Sequence, residues 1–450
     1  MCSVKVVGEE HQPRQLKFQN VGSLAGNPTR TRPFPQGEGQ EYVVGEEQQP
    51  RQHLPMGQQL QSLFGEAAKH CTNPVSLGIF RKLHHCHTAD LGMHTYRCDD
   101  PDCNHLHHQY HSCGNRHCPN CGGLKKEQWI EDLSAQLFPT AYYHLVFTVP
   151  HEFNGLTLGN RKAMYNLLFE AASATLLQFS HDPKHLGATC GITTVLHTWG
   201  QNLSFHPHLH CIVSGGGVKD GQWVKPKRVK DNFLFPVPAM RKVYKGIFLK
   251  KLRILVAKNL VQTEGVDVEQ AIKQAGFKKW NVYSKKPFGS VATVVEYLGR
   301  YTHKVAITKH RLTSITKSAV VFNYKDYADG DQQKSMELPV GEFMRRFEQH
   351  FLPRGFVKIR HFGFLQNHGK TTRLNAVRAT MDLQPLPPKV KIPVAVRMLE
   401  KFGKDIAQCP TCNKGKLILV AVIYPHYVQT VTPRANPCKL KPLPQNKASP

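Results

Sequence analysis

Acidic side chains are scarce in this 450-residue chain: 32 Asp and Glu face 59 Lys and Arg, a formal net charge of +27. So lopsided a balance points away from acidic ligands and toward a polyanionic partner, either nucleic acid or an anionic membrane surface. Long apolar runs are also missing. The longest uninterrupted one is Leu417–Tyr424, far short of the ~20 residues a spanning helix requires, and the N-terminus lacks the apolar core of a signal peptide. Nothing therefore favours the membrane, and a cytoplasmic location is expected. An even cysteine complement is absent too. The 13 cysteines cluster in short-spaced pairs near histidines, which suits zinc in a reducing compartment better than a secreted disulfide framework.

The length suggests about two or three domains with ample core. Residues 1–58, rich in Gln, Pro, Gly and Arg, are expected to form a disordered leader. Within it Val6–Gln15 returns almost unchanged as Val43–Gln52, and two copies are too few for a solenoid. Residues 59–136 are expected to form a small zinc-binding, DNA-binding module. Cys98 and Cys103 form one pair and Cys118 and Cys121 another, with Cys86 and Cys113 nearby and nine of the 26 histidines between His84 and Cys121. Two tight turns that each present two thiolates complete a tetrahedron around Zn²⁺, so Cys98, Cys103, Cys118 and Cys121 are the expected ligands, with Cys113 a further candidate. Basic residues such as Arg116 would give this module a phosphate-gripping face.

Residues 137–375 read as a mixed α+β domain, an antiparallel sheet with covering helices. Strand patterns run over 141–150, 190–199 and 319–324, with 280–285 a further candidate, and helical spacing over 160–179, 233–259 and 340–351. The most informative stretch is His206-Pro207-His208-Leu209-His210, followed by a triple glycine at 215–217. Residues two apart on a strand share a face, so His208 and His210 project together as a two-imidazole metal clamp. His206 would lie about 13 Å from His210 on a straight strand, so it or Gln201 is a candidate third ligand only if the backbone bends. Read alone, the pair fits ordinary hydrogen-bonded strand histidines equally well. Tyr297 and Tyr301 sit four apart in a helical pattern, placing two phenols on one face. Such a pair is commonly core, but Arg300, His303 and Lys304 around it suit a phosphate site better. Residues 376–450 read as a Pro/Lys-rich tail, whose Cys409–Cys412 pair fits half of a second zinc ribbon or two inert thiols.

Leu196–Leu203, His206–Gly217 and Tyr297–Ile307 together resemble the rolling-circle transposases of the insertion sequence 91 family, which are HUH endonucleases. The likeness extends to Cys113–Cys121, Lys286–Gly289, Leu352–Phe356 and Ile359–Gly363, and covers the chain from about Leu83 to Asn375. The resemblance implies an HUH-type sheet behind a zinc module. It makes His208 and His210 ligands of a catalytic Mg²⁺ or Mn²⁺, and Tyr297 and Tyr301 nucleophiles that cut single-stranded DNA at transposon ends through a 5′-phosphotyrosine. Arg116, Arg300 and Lys304 would contact DNA, including target DNA, at the bacterial nucleoid. A phenol with pKa near 10 attacks phosphorus well only when deprotonated and when the phosphate charge is neutralised, so the residue types agree.

Two other readings use part of the same evidence. A plasmid replication initiator or relaxase would employ the same chemistry. A non-catalytic zinc-dependent regulator would explain the charge and the cysteines, but leaves His208, His210, Tyr297 and Tyr301 without work. A binuclear zinc hydrolase fits less well, because no Asp closely follows the histidine pair.

Overall fold

The computed structural model describes residues 56–430, except 122, 228–233, 286, 289–292, 295–298, 300–304, 328, 389, 391 and 426. The expected leader at residues 1–58 therefore lies outside the described residues but for its last three, and so do Tyr297, Arg300, Tyr301, His303 and Lys304. Ten α-helices are described: α1 (Met56–Gly65), α2 (Pro74–His84), α3 (Gly123–Ser134), α4 (Asn154–Gly159), α5 (Arg161–His181), α6 (Val237–Ala257), α7 (Val268–Phe277), α8 (Val340–Glu348), α9 (Lys370–Ala379) and α10 (Val394–Phe402). None is long and apolar enough to cross a membrane.

The strands build three antiparallel sheets, in keeping with an α+β fold. The largest runs β11 (Ile359–Gly363), β4 (Thr189–Trp199), β5 (Phe205–Lys219), β3 (Tyr142–Thr148) and β7 (Val282–Ser284), with β6 (Gln222–Val224) also paired to β5. A second contains β10 (Gln332–Pro339), β9 (Ala319–Asp326) and β8 (Leu312–Ile315). The third joins distant parts of the chain, in the order β13 (Tyr427–Thr430), β12 (Leu417–Tyr424), β1 (Met93–Cys98) and β2 (Leu106–Tyr110).

The period-2 pattern of β5 decides what each face of the large sheet does. Leu209, Cys211 and Val213 enter a core with Leu145 and Phe147 of β3, covered by Leu168 and Ala172 of α5 and Tyr244 and Phe248 of α6. Burying each of the larger apolar side chains is worth about 1.5–3 kcal/mol, so this layer is the main anchor of the strand. The alternate residues His208, His210 and Ile212 therefore face the other way. The triple glycine has a steric reason. A Cβ on Gly215 would come 2.7 Å from the Ala141 carbonyl, one on Gly217 would come 2.8 Å from that of Thr189, and one on Gly216 would collide with the Trp223 ring.

A second core unites α1 and α2 with α8 and the three-stranded sheet. Phe64 stacks on Phe347 at 5.3 Å, and Phe80 meets Phe351 edge-on at 5.0 Å. Helix α2 begins where Asn73 accepts hydrogen bonds from the Val75 and Ser76 amides, with Pro74 at its first position, where no donor is needed.

Candidate functional site

Strands β4 and β5 pair so that His197 lies directly opposite His208. His197, His208 and His210 can each turn one ring nitrogen to a common point, those atoms lying within 4.8 Å of one another. The Nε2 atoms of His208 and His210 are 3.2 Å apart. Two nitrogens each about 2.1 Å from one ion would be separated by about 2.9–3.4 Å, depending on the angle at the metal, so this spacing suits shared coordination.

The other ring nitrogens are already held. His208 Nδ1 lies 2.7 Å from the His206 carbonyl, an acceptor, so it carries the proton and leaves Nε2 as a lone pair. His210 Nδ1 lies 2.9 Å from Nε2 of His144, a buried neighbour on β3. If His210 presents Nε2 to an ion, its Nδ1–H donates to His144, which must be neutral to accept. Burial, with Lys285 and His208 nearby, pulls His144 down to about 3, and burial with the adjacent His206 pulls His208 down to about 4. Both rings are thus uncharged at neutral pH, the state a metal ligand requires. His197 is buried and stacks on Trp199, with ring centroids 4.7 Å apart. Three imidazoles so grouped, two of them with Nδ1 already engaged, can hold a divalent cation and leave coordination positions open.

Neither residue named from sequence as a third ligand belongs to this group. His206 is exposed, and its carbonyl braces His208. The Gln201 side chain reaches the Tyr327 hydroxyl at 3.3 Å. His197 takes the third place because antiparallel register sets it across from His208, whereas His206 is displaced along its own strand. The turn at 200–202 between two strand patterns carried that signal, since the pairing it closes brings residue 197 beside 208.

Tyr297 and Tyr301, the tyrosines expected as nucleophiles, lie outside the described residues, but their flank does not. Val294 is fully buried against Ile212, Tyr142, Leu133 and Leu137, with Phe288 packed beside them. Ile212 follows His210 by one step on the same face of β5, so the segment three residues before Tyr297 meets the histidine-bearing side of the sheet.

The cysteines divide differently from the expected set. Cys118 and Cys121 group with Cys86 and Cys113, not with Cys98 and Cys103. The Cys86–Cys118 and Cys113–Cys121 Sγ separations are 3.5 and 3.7 Å. A tetrahedron with Zn–S bonds of about 2.3 Å has sulfur–sulfur edges of about 3.8 Å. The Cys113 and Asn120 amides point at the Cys86 and Cys118 sulfurs, from 3.5 and 3.4 Å. The correction follows from β1, which runs Met93–Cys98 and so carries Cys98 to the hairpin tip, while Cys86 stays at the open end, where the Cys113 amide meets its sulfur. Six residues of strand span about 16 Å, so Cys98 and Cys103 at the hairpin tip cannot share an ion with thiols at its open end. They lie instead with Cys409 and Cys412. Arg116, expected to touch DNA, gives Nη1 to the Phe356 carbonyl and so braces the loop before β11.

Comparison with known proteins finds a zinc-binding region followed by a transposase region. Residues 58–149 match a family described as "Transposase zinc-binding domain", and residues 191–372 match one described as "Putative transposase". The chain is 38% identical over 376 residues to the "Putative transposase y4qJ" of Sinorhizobium fredii, covering 80% of this chain and 93% of that protein. It is 28% identical over 351 residues to the "Transposase for insertion sequence element IS801" of Pseudomonas savastanoi pv. phaseolicola, covering 76% and 82% respectively. No solved structure matches. With both family matches in chain order and the first relative covered almost end to end, the chain belongs to the insertion sequence 91 family of transposases.

Proposed function

We propose that this transposase nicks and rejoins single-stranded DNA at transposon ends, in rolling-circle fashion, with Tyr297 and Tyr301 as nucleophiles. The observation that carries the reading is the convergence of His197, His208 and His210 on one face of the large sheet, with the Nδ1 atoms of His208 and His210 already engaged. The donor set fits a divalent cation. Imidazole nitrogen is a softer donor than carboxylate or water oxygen, so Mn²⁺ suits the site better than Mg²⁺. When bound, the cation supplies charge neutralisation at the scissile phosphate.

The protein's own part is to hold and attack. A Tyr297 or Tyr301 phenolate oxygen bonds to phosphorus, the bond from phosphorus to the 3′-oxygen breaks, and that oxygen takes up a proton. The product is a 5′-phosphotyrosine and a free 3′-hydroxyl, which conserves the bond energy for rejoining. Support for bringing phenol and metal together comes from Val294, whose burial against Ile212 sets the approach of its segment to the histidine face. The net charge of +27 supplies the attraction for the strand, with Arg300 and Lys304 assigned to phosphates beside the tyrosines. Zn²⁺ in the Cys86, Cys113, Cys118 and Cys121 group orders the second core, the one that unites α1, α2 and α8, since Cys86 and Cys118 are part of it.

The test is covalent capture. Labelled single strands from the element's ends, incubated with Mn²⁺, should yield a protein–DNA adduct that vanishes in the Tyr297→Phe/Tyr301→Phe double variant while DNA binding persists. An adduct at parental yield in that variant would place the nucleophile elsewhere.

A further inference from the structure

Cys409 and Cys412 lie beyond both matched regions and more than 300 residues from the cysteines they meet. The Sγ atoms of Cys98 and Cys412 are 3.7 Å apart across a separation of 314 residues, and those of Cys103 and Cys409 are 3.8 Å apart across 306. All four sulfurs lie within 4.8 Å of one another. Disulfide bonds need about 2.0 Å, whereas the edge of a zinc tetrathiolate is about 3.8 Å. We propose that these four cysteines form a second structural zinc site, a clasp that fastens the C-terminal segment onto the N-terminal hairpin.

Three further observations point to a built site. Each pair sits on a knuckle-like turn whose next residue is left-handed, Asn104 at φ 44° and Asn413 at φ 54°, a conformation that asparagine tolerates better than most residues. The Gly415 amide points at Cys412 Sγ from 3.3 Å, a contact that stabilises a thiolate. A Cβ on Gly415 would collide with Cys98 Sγ and come 2.8 Å from the Asp100 Cβ, so only glycine admits the two turns at this spacing.

The backbone around the site is reciprocal. The Asp99 amide donates to the Lys416 carbonyl at 3.0 Å, and the Lys416 amide donates to Asp99 Oδ1 at 2.6 Å. From there β12 runs along β1 from Cys98↔Leu417 to Met93↔Ile423. The metal thus stands at the start of a strand pairing that joins segments more than 300 residues apart. Four thiolates select zinc or iron, a single tetrahedral group of this size holds one ion rather than a cluster, and Zn²⁺ is the ion proposed. The consequence is that the zinc region is completed by residues 409–424, so a copy truncated before Cys409 would lose a side of its sheet.

Zinc counting tests this independently of DNA cleavage. Elemental analysis of the full-length chain should show one zinc fewer in Cys409→Ser/Cys412→Ser than in the parent, one fewer in Cys118→Ser/Cys121→Ser, and no iron in any of them. Cys412→His, which keeps a tetrahedral donor set, should retain the parental count. In the parent itself, Cys98, Cys103, Cys409 and Cys412 should resist alkylation together and become reactive together on chelation, with faster hydrogen exchange in 417–424. Unchanged zinc in the Cys409→Ser/Cys412→Ser variant, iron in the parent, or alkylation of these four thiols at the rate of free cysteine would overturn the proposal.

Discussion

His144 offers a sharp test of how the histidine face is assembled. It is 2% exposed, and its Nε2 lies 2.9 Å from Nδ1 of His210. By accepting that proton it turns His210 Nε2 toward His208 Nε2, 3.2 Å away. His144→Leu removes the acceptor while nearly preserving apolar volume. Loss of such an outer partner typically weakens metal affinity about 10–100-fold, or about 1.4–2.7 kcal/mol. The lost buried hydrogen bond adds about 1–3 kcal/mol of folding destabilisation. His144→Gln, which can accept through Oε1, should recover most of both. Calorimetric titration of Mn²⁺ into the three proteins, with urea unfolding alongside, separates the two effects. A Leu variant whose Mn²⁺ isotherm overlays the parent's would refute the argument that His144 positions His210.

Other outcomes follow from the same structure. Chelating zinc, or replacing Cys118 and Cys121 with Ser, should unfold the second core in a separate low-temperature calorimetric transition and weaken DNA binding, because Cys118 packs in that core with Phe80 and Phe347; the core behind the large sheet should melt later, and a single unchanged transition would contradict this. Binding to single strands should fall with salt at a log–log slope of about −0.7 per phosphate contacted, and a flat profile would argue against a phosphate-tracking surface. His350 is buried, donates from Nε2 to the Leu203 carbonyl, accepts at Nδ1 from the Thr198 hydroxyl, and is held down to about 4 by that burial. Its folded pKa lies below the unfolded value near 6.5, so its contribution is complete above about pH 6.5 and is lost as pH falls toward 4, amounting to about 3 kcal/mol. Urea midpoints measured between pH 7.5 and 4 should drop accordingly, and His350→Gln should make that drop smaller by its share, the other buried histidines such as His144 keeping theirs.

Local pattern and side-chain chemistry were legible in the sequence because they depend on near neighbours. Period 2 set His208 and His210 on one face, and the strand and helix patterns at 141–150, 160–179 and 190–199 correspond to β3, α5 and β4. The cysteine types and spacings announced tetrathiolate chemistry, and the excess of Lys and Arg announced a polyanion. Partnership across the chain was decided only by tertiary structure. His197 joins His208 through antiparallel register, which depends on the whole β4–β5 pairing and its irregularity between His197 and Trp199. Cys98 and Cys118 are 20 residues apart in sequence yet fall in different groups, because a strand carries one away from the other, whereas Cys98 and Cys412 meet across a separation of 314 residues. Short spacing sets which thiols can share a turn. Which turns share an ion depends on how sheets and cores bring distant segments together, and that is settled by packing over hundreds of residues rather than by any local pattern.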